Sequence, residues 1–248
     1  MEKKIIWISI VAVLLSFFGG FLLANALNRS ELNSIRAEND RLKNSQNASA
    51  GNNADSSLSN DEIRQKIAQA DQNPANISYQ KNLGMALYRY AAMKQDEQLF
   101  SDVARLLNRV YEKDANDYDV LVTLGNVYFD TGYSKKDNES FQKAREFYQK
   151  ALEKKPDDAG VRTDYGLTFF LVEPPQADKA IAEFQKSLQL NSKDERTLEA
   201  ISRALLSQNK NAEAEKYITK LKEVNPENPT LPELTNQAAG KTNSTEKQ

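Results

Sequence analysis

The sequence contains no cysteine and no histidine in 248 residues. Without cysteine there is no disulfide framework, no thiolate metal site and no thiol for lipid attachment. Without histidine, the commonest general base and the commonest metal ligand are both missing. Catalysis of the Ser-His-Asp or Cys-His kind is therefore excluded. The sequence predicts no catalytic residues, no metal site and no cofactor.

The chain also lacks a large net charge of either sign, because it has 33 basic and 35 acidic residues and a net charge of −2. No basic face indicates nucleic acid, so no nucleic-acid partner is expected. Scattered carboxylates leave one enzymatic alternative open, a carboxylate-based hydrolase. No carboxylates converge recognisably and no phosphate-binding loop is present, so the sequence favours a protein that is not an enzyme.

The one long apolar run extends from Ile5 to Leu27, behind a short basic tail at residues 1–4. About 20 apolar residues suffice for a helix to cross a membrane. Ala24-Asn25-Ala26 resembles a cleavage site, but signal peptides usually have an apolar core of only about 7 to 15 residues. We therefore predict an uncleaved transmembrane anchor, with a cleaved signal peptide as the alternative.

Cations flank this run on both sides, so their number does not settle its orientation. Two precede it and four come after it: Lys3, Lys4, then Arg29, Arg36, Arg41 and Lys43. A short basic tail before a first apolar segment is nonetheless the usual arrangement for exporting the remainder of a chain. We predict a single-pass protein of a bacterial inner membrane with most of the chain outside the cytoplasm.

Residues 28–43 have the pattern of a short helical stalk. Its apolar positions follow the 3, 4, 3 spacing of a coiled-coil seam: Leu32, Ile35, Asn39 and Leu42. Small residues recur every four positions in the preceding run: Ser16, Gly20 and Ala24. These two patterns are consistent with a homodimer joined through the stalk. A monomeric stalk behind an ordinary membrane span is the alternative.

A motif with glycine after a large residue is repeated along the rest of the chain. The glycines are Gly84, Gly125 and Gly166, at a constant spacing of 41 residues, and Ser202 takes this place in a fourth copy. A second segment with helical apolar spacing comes after each copy. Glycine inside a helix costs about 1 kcal/mol relative to alanine. We therefore predict that another helix packs closely against each glycine.

This pattern resembles the tetratricopeptide repeat, a pair of antiparallel helices with the pattern W-x2-L-G-x2-Y, then A-x3-F, then P. The resemblance implies an all-α, right-handed superhelical solenoid of about four helix pairs, with a leading helix that ends at Pro74. Extra residues between the glycine and the second segment in the first two repeats should lengthen the helices or the turn. Pro174 and Pro175 mark this turn in the third repeat.

The predicted organisation has six parts. They are a basic tail (1–4), a transmembrane helix (5–27), a stalk (28–43), a flexible linker rich in Asn, Ser and Ala (44–60), the repeat domain (61–230) and a disordered polar tail (231–248).

In the tetratricopeptide family the first helices line a concave surface that binds protein or peptide partners. Carried over with glycine as the eighth position of each repeat, the lining positions give a candidate binding groove: Lys81, Met85, Tyr88, Arg89, Val122, Asn126, Phe129, Leu167 and Phe170. The alternative is that the apolar members belong to the core.

One binding mechanism of the family does not match these positions. Co-chaperones of the family hold a terminal carboxylate with a lysine and an asparagine, but here Met85 follows Lys81 in that pattern, and Gly160 and Asp164 stand where cations are needed. The sequence thus predicts a membrane-anchored scaffold or adaptor for a protein or peptide partner in envelope assembly. The order of span, coiled coil and repeats also resembles subunits that present apocytochrome during cytochrome c maturation, which is the alternative.

Overall fold

The computed structural model describes residues 59–94 and 96–240. The predicted membrane span, the stalk, nearly all of the linker and residues 241–248 lie outside the described residues. Within the described ranges, no helix is both long and apolar enough to cross a membrane.

The described part of the chain is built from helices joined by short connections, with one short 3-10 helix at Glu97–Leu99. The α-helices are α1 (Asn60–Gln72), α2 (Ile77–Lys94), α3 (Phe100–Lys113), α4 (Tyr118–Lys135), α5 (Asn138–Lys154), α6 (Ala159–Phe170), α7 (Ala177–Leu190), α8 (Glu195–Ser207), α9 (Asn211–Val224) and α10 (Leu231–Ala238). Helices α2 to α9 pack as four pairs, α2/α3 to α8/α9. This confirms the all-α arrangement of four helix pairs behind a leading helix.

Aspartates begin most first helices. The carboxylates of Asp117, Asp158 and Asp194 accept hydrogen bonds from the backbone N–H three residues later, at the starts of α4, α6 and α8. Such caps satisfy N–H groups that have no partner inside the helix. Only a few residues separate each cap from the preceding second helix, so the chain reverses sharply between repeats.

The glycines lie at helix crossings, as predicted. Each would carry a Cβ too close to a core side chain of the partner helix: 2.7 Å from Leu107 at Gly84, 2.5 Å from Tyr148 at Gly125, and 2.6 Å from Phe184 at Gly166. In the fourth repeat the small side chain of Ser202 is completely buried, and its hydroxyl donates to the carbonyl of Leu198 at 2.7 Å. Close packing between the helices of each pair therefore requires a small residue at this position.

The extra residues of the first two repeats lengthen their first helices. Helices α2 and α4 have 18 residues each, whereas α6 has 12 and α8 has 13. In the third repeat, Pro174 and Pro175 lie in the turn between α6 and α7, as expected. The Asn138 side chain donates to the Glu173 carbonyl at 2.6 Å and accepts from the Glu173 N–H at 3.0 Å, and thereby holds this turn against α5.

The structure corrects the end of the repeat domain. Residues 231–238, which the sequence assigns to a disordered tail, form helix α10. Leu234 is fully buried, and Leu231 and Ala238 are 7% exposed. A repeat stack ends in an exposed apolar face that needs a covering element. Three apolar side chains at 3- and 4-residue spacing provide this cover within an otherwise polar segment.

The first helices lie on the inner face of the stack. Each contacts the first helix of the next repeat, α2 with α4, α4 with α6 and α6 with α8, and α8 contacts α10. Among the described helices, the second helices pack against the first helices on either side and touch one another at most marginally. Because successive first helices approach one another more closely than successive second helices do, the side of the stack formed by the first helices is concave.

Candidate protein-binding groove

The nine residues predicted for the groove all lie on first helices, four on α2, three on α4 and two on α6. None is fully buried: Arg89 is exposed and the other eight are half-buried. We use "the groove" for the surface formed by these nine residues. Their role in binding stays a prediction, but all nine remain accessible after the helices have packed.

The apolar groove residues belong partly to the core and partly to the surface. Met85 packs against the core of the first two repeats and accepts a hydrogen bond from the Thr123 hydroxyl at its sulfur, 3.1 Å away. Phe129 makes an edge-to-face contact with Phe141 of α5 at a ring-centroid distance of 5.8 Å. Leu167 lies against the core of the last repeats. The two interpretations of these residues, as core or as binding surface, are therefore not exclusive.

A hydrogen bond joins α2 to α4 across the centre of the groove. The Tyr88 hydroxyl donates to Oδ2 of Asp130 at 3.0 Å, and both side chains are half-buried. Burial, and after it the Asp130 charge, raises the pKa of Tyr88, so this hydroxyl keeps its proton and acts as a donor. Burial also raises the pKa of Asp130, although the bond from Tyr88 opposes the rise.

An ion pair joins the next two first helices. Nη2 of Arg196 on α8 lies 2.5 Å from Oδ1 of Asp164 on α6. Burial raises the pKa of Asp164, Arg196 acts against this rise, and repulsion from Asp130 adds to it. Two carboxylates on neighbouring helices thus share a half-buried region with one arginine.

Asn126 connects this region to the second helix of its own repeat. The hydroxyl of Tyr148, a side chain only 1% exposed, donates to Oδ1 of Asn126 at 2.8 Å. Asn126 also lies near Tyr88 and lowers the pKa of that hydroxyl, against the larger effect of burial. The packing between α4 and α5 therefore fixes the position of the Asn126 amide in the groove.

The sequence pattern missed part of this constellation. The sequence pattern identified Asp164 only as an acidic residue at a position where a carboxylate clamp needs a cation. It gave no role to Arg196. The one signal that could have found Arg196 is its register, because it lies six residues before Ser202, at a family lining position. Pairing with Asp164 depends on the approach of α8 to α6, which no local pattern encodes.

Charges at the two ends of the groove are already paired. Lys81 lies 2.6 Å from Asp117 at the start of α4. At the other end, Arg203 of α8 makes two hydrogen bonds, of 2.8 and 2.9 Å, to the carboxylate of Glu233 in α10. A cavity of about 550 Å³ continues the groove there, lined in part by Phe170 and Leu206. Arg89 makes no ion pair within the described part of the chain.

Neither the groove nor any other described surface has the ligands of a metal site, since no cluster of three or more Asp or Glu side chains with that geometry occurs in residues 59–94 and 96–240. The groove combines half-buried apolar side chains with the hydrogen-bonded polar groups of Tyr88 and Asn126, and the carboxylates of Asp130 and Asp164 lie beside it. Such a surface can hold a peptide by apolar contacts and polar pairing.

Comparison with known proteins agrees with this architecture. A sequence model of the tetratricopeptide repeat matches residues 195–228, which comprise the fourth helix pair and the turn after it. No curated protein matches the chain in sequence. Residues 195–228 therefore match the tetratricopeptide repeat in sequence, and the preceding helix pairs share its architecture.

Solved structures of MamA share the fold. The crystal structure of MamA superposes with a TM-score of 0.53 and 21% identity over 66% of this chain and 86% of that one. MamA AMB-1 gives a TM-score of 0.54 and 22% identity over 67% and 84%. A double mutant of MamA RS-1 gives 0.55 and 15% over 68% and 86%. At these identities the likeness concerns the fold alone.

Proposed function

We propose that this chain is a scaffold or adaptor that binds a segment of a partner protein in the groove. The observation that carries the proposal is the half-exposure of eight groove residues on three successive first helices. Tetratricopeptide arrays use this inner surface for protein binding. The carboxylates beside the groove, Asp130 and Asp164, accept a hydrogen bond from Tyr88 and an ion pair from Arg196.

The apolar groove residues are suited to anchor a partner. Aromatic and methionine side chains contribute large contact areas, and a few such residues usually dominate binding energy. Covering them removes apolar surface from water at about 25 cal/mol per Å². A partner segment that is helical or extended would lie along α2, α4 and α6, with Asn126 available for a polar contact.

The test compares two half-buried leucines that pack against the same core cluster. Leu167 lies in the groove, whereas Leu188 lies on the second helix α7, and both are half-buried against the core of the last repeats. The full chain carrying Leu167→Ala or Leu188→Ala is extracted in mild detergent, and proteins that co-purify with it are identified by mass spectrometry. We expect Leu167→Ala to lose the partner and Leu188→Ala to keep it, with similar melting temperatures. Equal retention would place binding outside the groove.

We further propose that residues 5–27 anchor the protein in a bacterial inner membrane, with the repeats outside the cytoplasm and a role in envelope assembly. The uncharged run and the basic tail before it support this proposal. Protease added to intact spheroplasts should then digest the repeats. Protection until the membrane is broken would reverse the orientation.

A more specific candidate is an apocytochrome-presenting subunit of cytochrome c maturation. It is supported by the order of span, stalk and repeats, with fold-level analogy as the only warrant. The same co-purification tests it, because an apocytochrome should then appear among the proteins that Leu167→Ala loses.

A further inference from the structure

We infer that the partner segment presents a lysine or arginine side chain to Asp130, next to apolar side chains that pack against Val122 and Leu167. This inference rests on the proposed function and specifies the chemistry of the partner. It is carried by an apolar surface and a complementary charge that lie on the same groove.

The first step is that Asp130 lacks the cation that Asp117 and Asp164 each have. Asp117 lies 2.6 Å from Lys81, and Asp164 lies 2.5 Å from Arg196. Within the described residues, the side-chain partner of Asp130 is the Tyr88 hydroxyl, and no basic group lies within ion-pair distance of it. The carboxylate therefore has a neutral hydrogen-bond donor and, within the described residues, no cation paired to it.

The second step is the environment of this carboxylate. Asp130 is half-buried and is repelled by Asp164, while Arg196 attracts it from a position where it already pairs with Asp164. A half-buried charge without its own counter-ion interacts more strongly with an added cation than a fully hydrated charge does. An incoming ammonium or guanidinium group is the chemical complement of this site.

The third step is the apolar surface beside it. Val122 lies about two helical turns before Asp130 on α4, and Leu167 of α6 has the register position of Asn126, about one turn before that of Asp130. Half-exposed apolar side chains therefore occur on α4 and on the neighbouring α6. A segment with one basic residue next to apolar residues matches this surface. At this position an acidic segment does not match, because it would be repelled by Asp130 and by the neighbouring Asp164.

The occupant to which we commit is a segment of a different protein. Two others compete for the same chemistry, a second copy of this chain and its own residues 241–248, which include Lys241 and Lys247. Experiment distinguishes both from a separate partner. If a second copy is the occupant, the chain should dimerise through the groove. If residues 241–248 are the occupant, removing them should increase the affinity of the chain for an added peptide.

The probe is a phage-displayed library of random 12-residue peptides, selected on the full chain in detergent micelles. Enriched peptides are synthesised, and their affinities are measured for the original chain, Asp130→Asn, Leu167→Ala and a control, Asp157→Asn. Asp157 is an exposed aspartate in the turn before α6. Asparagine at position 130 keeps an acceptor for the Tyr88 hydroxyl and removes the charge.

We expect one position of the selected peptides to be occupied by lysine or arginine, next to apolar residues. Replacing that residue by glutamine should weaken binding by about tenfold or more, as for other partly buried charge pairs. Asp130→Asn should weaken binding by a similar factor, and the two changes together should weaken it little further, because they remove the same pair. Asp157→Asn should leave binding unchanged.

The outcomes separate this inference from the function on which it rests. Peptides that depend on Leu167 but not on Asp130 would overturn the inference and leave groove binding intact. Peptides that depend on neither residue would overturn both. An Asp130-dependent dimer in sedimentation, or tighter peptide binding after removal of residues 241–248, would overturn the assignment to a separate partner. A library without any Asp130-dependent peptide would also overturn the inference.

Discussion

Replacing Gly125 by alanine tests the packing of the helix pairs directly, because two opposing effects have different magnitudes there. In an unconstrained helix interior this change stabilises by about 1 kcal/mol. Here the new Cβ would lie 2.5 Å from Cε1 and 2.6 Å from Cδ1 of Tyr148. Ordinary carbon–carbon contacts are about 3.5 Å, so the ring would have to withdraw by about 1 Å.

The Tyr148 ring has little freedom to withdraw. It is 1% exposed, and its hydroxyl is held by Asn126 at 2.8 Å. Overpacking of a core in this way typically costs about 1 to 3 kcal/mol. After the gain in helix propensity is subtracted, we expect Gly125→Ala to lower the free energy of unfolding by up to about 2 kcal/mol. For a domain of this size, the melting temperature should fall by up to about 8 °C.

A matched glycine provides the control. Gly160 lies in the first turn of α6, is exposed, and would place a Cβ no closer than 3.4 Å to the Asp158 carboxylate. Gly160→Ala should therefore leave stability unchanged or raise it by up to about 1 kcal/mol. Thermal melts of residues 59–248, one compact unit, are followed by circular dichroism. If Gly125→Ala stabilises as much as Gly160→Ala, the packing argument is wrong.

Three further predictions concern pH, the closing helix and an ion pair between repeats. Folding raises the pKa of Asp130, so the protonated carboxyl stabilises the fold at a pH below its usual pKa of 3.8, and this stabilisation is lost as the pH rises through the pKa of the folded protein. In urea melts at pH 7, Asp130→Asn should therefore be more stable than the original chain. The difference should vanish as the pH falls toward 3.8. Leu234→Ala should cost about 2 to 4 kcal/mol and increase amide exchange in α10, whereas exposed Gln237→Ala should do neither. Lys81→Met should cost less than about 1 kcal/mol in thermal melts, because its pair with Asp117 is partly solvated, and added salt should reduce the difference. A loss above about 2 kcal/mol that is insensitive to salt would contradict this last expectation.

The groove positions on α2, α4 and α6 were predictable from the sequence, because a repeat register assigns each residue to a face of its helix. The same register placed the packing glycines at the helix crossings. The limits of the repeat domain were less predictable. Helix α10 carries only three buried apolar side chains, and a short helix of this kind is stable mainly through the surface that it covers.

The sequence by itself determined the helix pairs, the crossings at Gly84, Gly125 and Gly166, and the face that each groove residue occupies, because these features depend on local periodicity. Only the tertiary structure brought Tyr88 to Asp130, 42 positions apart along the chain, and Arg196 to Asp164. These contacts depend on how far each repeat is rotated and displaced against the next. That geometry is set by the packing of whole helices, and a change of a few ångströms would separate the same side chains.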